Sequence, residues 1–115
     1  SFMLKRNMKI IVSILFLFFS SNVFSAEPSN SIKNKIINEI EEYEVVSRAA
    51  FGNDVVGGDS AYDIFWIWMP KVNKQDYDSI AEFFCPILKK NGLSKKTISI
   101  KKNNSYETLG RAYCR

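Results

Sequence analysis

Three observations predict an α+β domain: two amphipathic helical stripes, several short apolar or alternating runs bounded by turn residues, and two cysteines placed to join a helix to the last strand. The expected architecture is a small, largely antiparallel sheet of three or four strands with two helices packed on it and one disulfide. It occupies residues 26–115 as a single domain without internal repeats.

Residues 1–25 have the order of a secretory signal peptide. Lys5, Arg6 and Lys9 form a basic start, Ile10 to Phe19 is almost wholly apolar, and Val23 and Ser25 supply small residues at −3 and −1 of a cleavage site, with Ala26 at −1 as the alternative. Ten helical residues reach only about half of a ~30 Å hydrocarbon core, so no transmembrane span is expected in the mature form.

The first helix begins after Ser29 or Ser31. Ile32, Ile36, Ile40 and Tyr43 recur at intervals of four, four and three, with Ile37 beside them, while Lys33, Lys35 and the glutamates fill the remaining positions. A break near Glu44 is expected. Val45 to Phe51 fits either a continuing helix or a strand. Gly52 to Ala61, with three Gly and two Asp, is loop chemistry. Tyr62 to Met69 (YDIFWIWM) is short, almost wholly apolar and stopped by Pro70, as in a strand buried on both faces or one that meets a partner.

The second helix follows Asn73, a capping residue, with Asp76 three positions on and Val72 placed to pack on Tyr77. Tyr77, Ile80, Ala81, Phe84 and Leu88 form its stripe, Cys85 borders it, Pro86 is expected to kink the last turn, and Asn91-Gly92 ends it. Thr97 to Lys101 alternates as a strand. Lys102 to Ser105 turns the chain, and Tyr106 to Cys114 returns. In that return, Leu109, Arg111 and Tyr113 share one face while Ala112 and Cys114 share the other. Strands flanking the second helix would run parallel if they are neighbours.

Cys85 and Cys114 are the only cysteines, so an exported chain has one intramolecular pairing open to it. Closing a loop of this length is worth about 3 kcal/mol in the chain-entropy picture.

The composition excludes several chemistries. The chain has no histidine, which removes Ser-His-Asp and Cys-His catalysis and histidine-based zinc sites. No metal or other cofactor is expected. The glycine-rich loop lacks the Gly-Lys-Ser/Thr ending of a phosphate loop, and Asp54, Asp59 and Asp63 miss the spacing of a calcium loop. The formal charge of +4 falls to +1 without the three cations of the leader, so no nucleic-acid partner is expected. Charge is instead polarised. Residues 83–115 carry eight basic side chains and one acidic, a set suited to contact with an anionic surface or to solvation alone.

Trp66 and Trp68 fall on one side of their strand with Tyr62. They are either core residues or an aromatic platform for a sugar or a protein. The residues expected to meet a partner are therefore Tyr62, Trp66, Trp68, Lys101 and Arg111. The function expected is that of a small exported protein, periplasmic or secreted, that binds or inhibits another protein and is not an enzyme. A structural or assembly subunit of an envelope or secretion machine is the second class. A carboxylate enzyme built on Asp59, Asp63 and Glu107 is the third.

Overall fold

The computed structural model describes residues 27–115; the expected leader lies outside them. Two helices and four strands follow in the order α1 (Asn30–Glu41), β1 (Arg48–Phe51), β2 (Ile64–Met69), α2 (Tyr77–Lys90), β3 (Lys96–Lys102) and β4 (Thr108–Cys114). The sheet has the order β1-β2-β3-β4. The outer two pairings are antiparallel and the central pairing of β2 with β3 is parallel, so the sheet is mixed. The parallel pair exists because α2 carries the chain back to the end where β2 began.

Ser29 caps α1 by accepting the N–H of Ile32 at 3.2 Å. The helix stops at Glu41 rather than near Glu44, and Arg48–Phe51 is strand. Lys33, expected among the solvated positions, is buried instead. Its ammonium lies 2.9 Å from Glu27 and 3.8 Å from Asp54, which tie the start of the described chain and the loop after β1 to α1.

The loop between β1 and β2 contains two short 3-10 turns, Gly52–Asp54 and Asp59–Asp63. Tyr62 belongs to the second of these and not to the strand. Its hydroxyl accepts from Asn53 Nδ2 at 2.7 Å, away from the tryptophans that follow.

The N-cap of α2 is Asp76, not Asn73: Asp76 Oδ1 accepts from Ser79 N at 3.1 Å. Val72 and Tyr77 line one groove, and polar anchoring joins them as well. Tyr77 Oη accepts the Val72 N–H and donates to the Pro70 carbonyl, each at 2.7 Å, which fixes the entry to the helix. The helix runs through Pro86 to Lys90. It ends in a Schellman motif, with Leu93 N–H on the Leu88 carbonyl and Gly92 at φ 85°.

Both helices pack on one face of the sheet. Ile36 and Ile40 of α1 and Ala81, Phe84 and Leu88 of α2 join Phe51, Phe65, Ile67, Met69, Ile98, Ile100 and Cys114 in one buried cluster. The Cys85–Cys114 disulfide fastens α2 to β4, with Cα atoms 5.3 Å apart, and the Cys114 face is the helix-covered one. Near the other end of the pair, Gly110 lies directly against the backbone of Tyr77 and Asp78. The two anchors are in step. Eight helical residues from Tyr77 to Cys85 rise about 12 Å, and four strand residues from Gly110 to Cys114 rise about 13 Å.

In β4 the strand begins at Thr108, not Tyr106, and Leu109 is bulged out of register between the Ile100–Gly110 and Lys101–Thr108 pairs. The extra residue turns Leu109 toward the helix-side cluster, away from the face it was expected to share with Arg111 and Tyr113.

Three carboxyls are held below their usual range: Glu27 by Lys33, Asp76 by Ser79 and Glu107 by Lys71. The folded protein then binds fewer protons than the unfolded chain in acid. Their stabilisation is complete above the unfolded values and is lost as pH falls through the folded ones. With no histidine to titrate, thermal melts are expected to give a constant Tm between about pH 5 and 8 and a falling Tm below roughly pH 4.

Candidate functional site

Cross-strand partners point to the same side of a sheet, so the register defines the face opposite the helices. Arg48 pairs with Trp68 and Ala50 with Trp66. Trp66 then stands beside Ser99, Trp68 beside Lys101, Ser99 beside Arg111 and Thr97 beside Tyr113. Four of the five expected partner-binding residues, Trp66, Trp68, Lys101 and Arg111, thus share this face. Tyr62 does not join them.

The aromatic groups form a linked set. Trp66 meets Trp68 at a centroid distance of 5.7 Å and an interplanar angle of 61°, and meets Tyr106 at 5.6 Å and 68°. Tyr106 comes from the β3–β4 turn, where it was expected to begin a strand. Instead it caps Trp66 and remains 65% exposed. Trp68 is only 4% exposed, and its indole N–H donates to the Ser105 carbonyl at 2.9 Å. The tryptophans therefore divide the two sequence readings between them: Trp68 is packed, while Trp66 is half-buried at the surface.

Cations surround the rings. The Arg48 guanidinium carbon lies 4.5 Å from the Trp68 centroid, and Lys101 Nζ lies 4.8 Å from that of Trp66. Lys101 is buried; it donates to Thr108 Oγ1 at 2.7 Å and to the Tyr106 carbonyl at 3.4 Å. Burial, and then the charge of Arg111, holds its pKa below the usual lysine value. Arg111 and Tyr113 are exposed on the same face. At its rim, Ser47, Arg48, Trp68, Asn103 and Asn104 line a pocket of about 330 Å³, and the buried Asn103 Oδ1 accepts no hydrogen bond from the described residues.

Both outer edges of the sheet carry a carboxylate from a helix. Glu41 of α1 accepts the Ala49 N–H of β1, and Asp78 of α2 accepts the Arg111 N–H of β4, each at 2.9 Å. A strand approaching either edge meets a negative charge and an N–H already engaged.

The proposed carboxylate set does not converge. Asp63 pairs with Lys96 at 3.3 Å just before β2, whereas Glu107 pairs with Lys71 at 3.0 Å beyond its far end. The length of β2 separates them by roughly 20 Å, against the ~5–10 Å of a two-carboxylate site.

One surface was not foreseen. An apolar groove of about 380 Å³ runs between the end of α1, the β2–α2 connection and α2, lined by Tyr43, Val45, Val72, Ile80 and Phe83 among others. Phe83 is 57% exposed and packs edge-on against Tyr43 and Phe84. The sequence signal was present: Phe83 is a large apolar residue off the buried stripe of α2.

Among the described residues, no helix is long and apolar enough to cross a membrane, and no three His, Cys, Asp or Glu side chains cluster to hold a metal ion. No family model, curated protein or solved structure matches this chain.

Proposed function

We infer that this is a small exported, non-catalytic protein that binds or inhibits a protein partner, which it docks on the tryptophan face of its sheet. The observation that carries this reading is the placement of both helices on the opposite face. The tryptophan face is left with half-buried Trp66, exposed Tyr106 and Tyr113, and the cations Arg48, Lys101 and Arg111. Contiguous aromatic surface bordered by polar groups is what protein interfaces use for anchoring.

Export, into a periplasm or beyond the cell, rests on the leader-like first 25 residues. The Cys85–Cys114 bridge is compatible with it. Assembly by addition of a strand, the second reading, is opposed by the Glu41 and Asp78 carboxylates on the sheet edges. A carboxylate enzyme is opposed by the separation of Asp63 and Glu107.

The test is capture of a partner from native envelope extract by the oxidised protein and two double variants. Trp66→Ala with Tyr106→Ala is expected to abolish capture while melting cooperatively. Tyr43→Ala with Phe83→Ala is expected to retain it. The reverse pattern would move the docking surface to the apolar groove.

A further inference from the structure

Three lysines are buried among the described residues, and two of them have acidic partners. Lys33 meets Glu27 and Asp54, and Lys96 meets Asp63. Lys101 does not follow this pattern. Its hydrogen bonds go to a hydroxyl and a backbone carbonyl, its ammonium also lies over the Trp66 ring, and no carboxylate oxygen of the described residues forms an ion pair with it within 4.0 Å. A buried ammonium without a counter-ion is costly, and a methionine could fill the same volume without that cost. Arg111 on the neighbouring strand deepens the imbalance: burial first, and the Arg111 charge second, hold the pKa of Lys101 below the usual lysine value. Arg48 adds a third cation over Trp68. None of the strand residues on this face is acidic.

The same geometry narrows the occupant. Trp66 stands edge-on to Trp68 and to Tyr106, so the rings do not make the flat shelf on which a sugar ring stacks. The cations are separate, with one ammonium set among the rings and two guanidinium groups toward the rim. They match individual carboxylates presented at intervals by a polypeptide.

Building on the docking role inferred above, we propose that the partner is an acidic protein segment, one Asp or Glu of which pairs with Lys101 beside Trp66 while others meet Arg111 and Arg48. Lys101 is then retained for recognition at the expense of stability.

Titration of the oxidised, ¹⁵N-labelled protein with a short poly-glutamate peptide tests this, read at the Trp66 and Trp68 indole N–H signals. Saturable binding is expected, weakened at least about tenfold by Lys101→Met, as for loss of one partner of a desolvated charge pair. Lys101→Arg should restore most of it. Lys102→Met removes the same charge from an exposed residue outside the tryptophan face and should weaken binding less than about twofold. Lys101→Met should melt no lower than the wild-type protein.

Equal weakening by Lys101→Met and Lys102→Met would reduce the effect to diffuse attraction and overturn the proposal. So would tighter binding of polygalacturonate, a polyanionic sugar chain, than of poly-glutamate. If Lys101→Met does not fold, the wild-type shifts decide. Changes centred on the two indoles support the site, and changes elsewhere reject it. A captured partner that still binds Lys101→Met but not the Trp66/Tyr106 variant would leave the docking role standing and remove only its acidic occupant.

Discussion

Replacing Gly110 with alanine is expected to destabilise the protein by about 3 kcal/mol, lowering Tm by roughly 12–20 °C. A Cβ at this position would lie 2.5 Å from the Tyr77 carbonyl carbon, 2.6 Å from Tyr77 Cβ and 2.7 Å from Asp78 N. Two of these atoms are backbone in the first turn of α2, so no side-chain rotation relieves the overlap. The helix has to lift from β4. That displacement also strains the Tyr77 hydroxyl bonds to Pro70 and Val72 and the Asp78 bond to Arg111 N–H. Circular-dichroism melts of Gly110→Ala measure the effect. A Tm within about 2 °C of wild type would mean that α2 does not press on β4 at this point.

The double substitution Cys85→Ala with Cys114→Ala is expected to cost a similar amount, about 3 kcal/mol, through freedom regained by the unfolded chain. The bridge spans a sequence separation of 29 and is the covalent half of the α2–β4 attachment, for which Gly110 is the packing half. Denaturant unfolding of the oxidised protein and the double variant would show the midpoint falling with little loss of slope if the native core is retained. Because both anchors hold one helix to one strand, combining the variants should not give a simple sum. Loss of cooperative unfolding is the expected outcome. An unchanged midpoint in the cysteine variant would place the stability of the domain elsewhere.

Much of this fold was legible in the sequence because it depends on periodicity. The stripes of α1 and α2, the alternation of β3 and the pairing of the two cysteines are local or near-local signals, and each element lies within a few residues of its expected place. Competition between equally good signals went unresolved. Asn73 and Asp76 both suit an N-cap. Asp76 is used because Tyr77 pins residues 70–72 outside the helix and leaves Asn73 in the turn before it. Val45 to Phe51 has the composition of either helix or strand, and pairing with β2 decides for the strand from Arg48.

Non-local pairings were beyond reach. Nothing around Lys33 announces Glu27 on one side and Asp54 on the other, which together make its burial tolerable. The bulge at Leu109 reverses one residue's face without any glycine or proline at the bulged position itself. For the candidate site, alternation placed Trp66 and Trp68 together. Lys101 and Arg111 joined them through strand order, and Tyr106 through a turn that folds over Trp66. The 3-10 turn that removes Tyr62 from the set ends at Asp63, and strand alternation alone, which puts Tyr62 in phase with Ile64 and Trp66, passed over that one charged residue.

Docking on the tryptophan face is tested most directly by mapping the bound surface on the labelled protein with its captured partner. Shifts or protection at the Trp66 and Trp68 indoles, Tyr106, Arg111 and Tyr113, with Tyr43, Val72 and Phe83 unchanged, are the expected result. Changes confined to Tyr43, Val72 and Phe83 would contradict it and assign recognition to the apolar groove on the helical side.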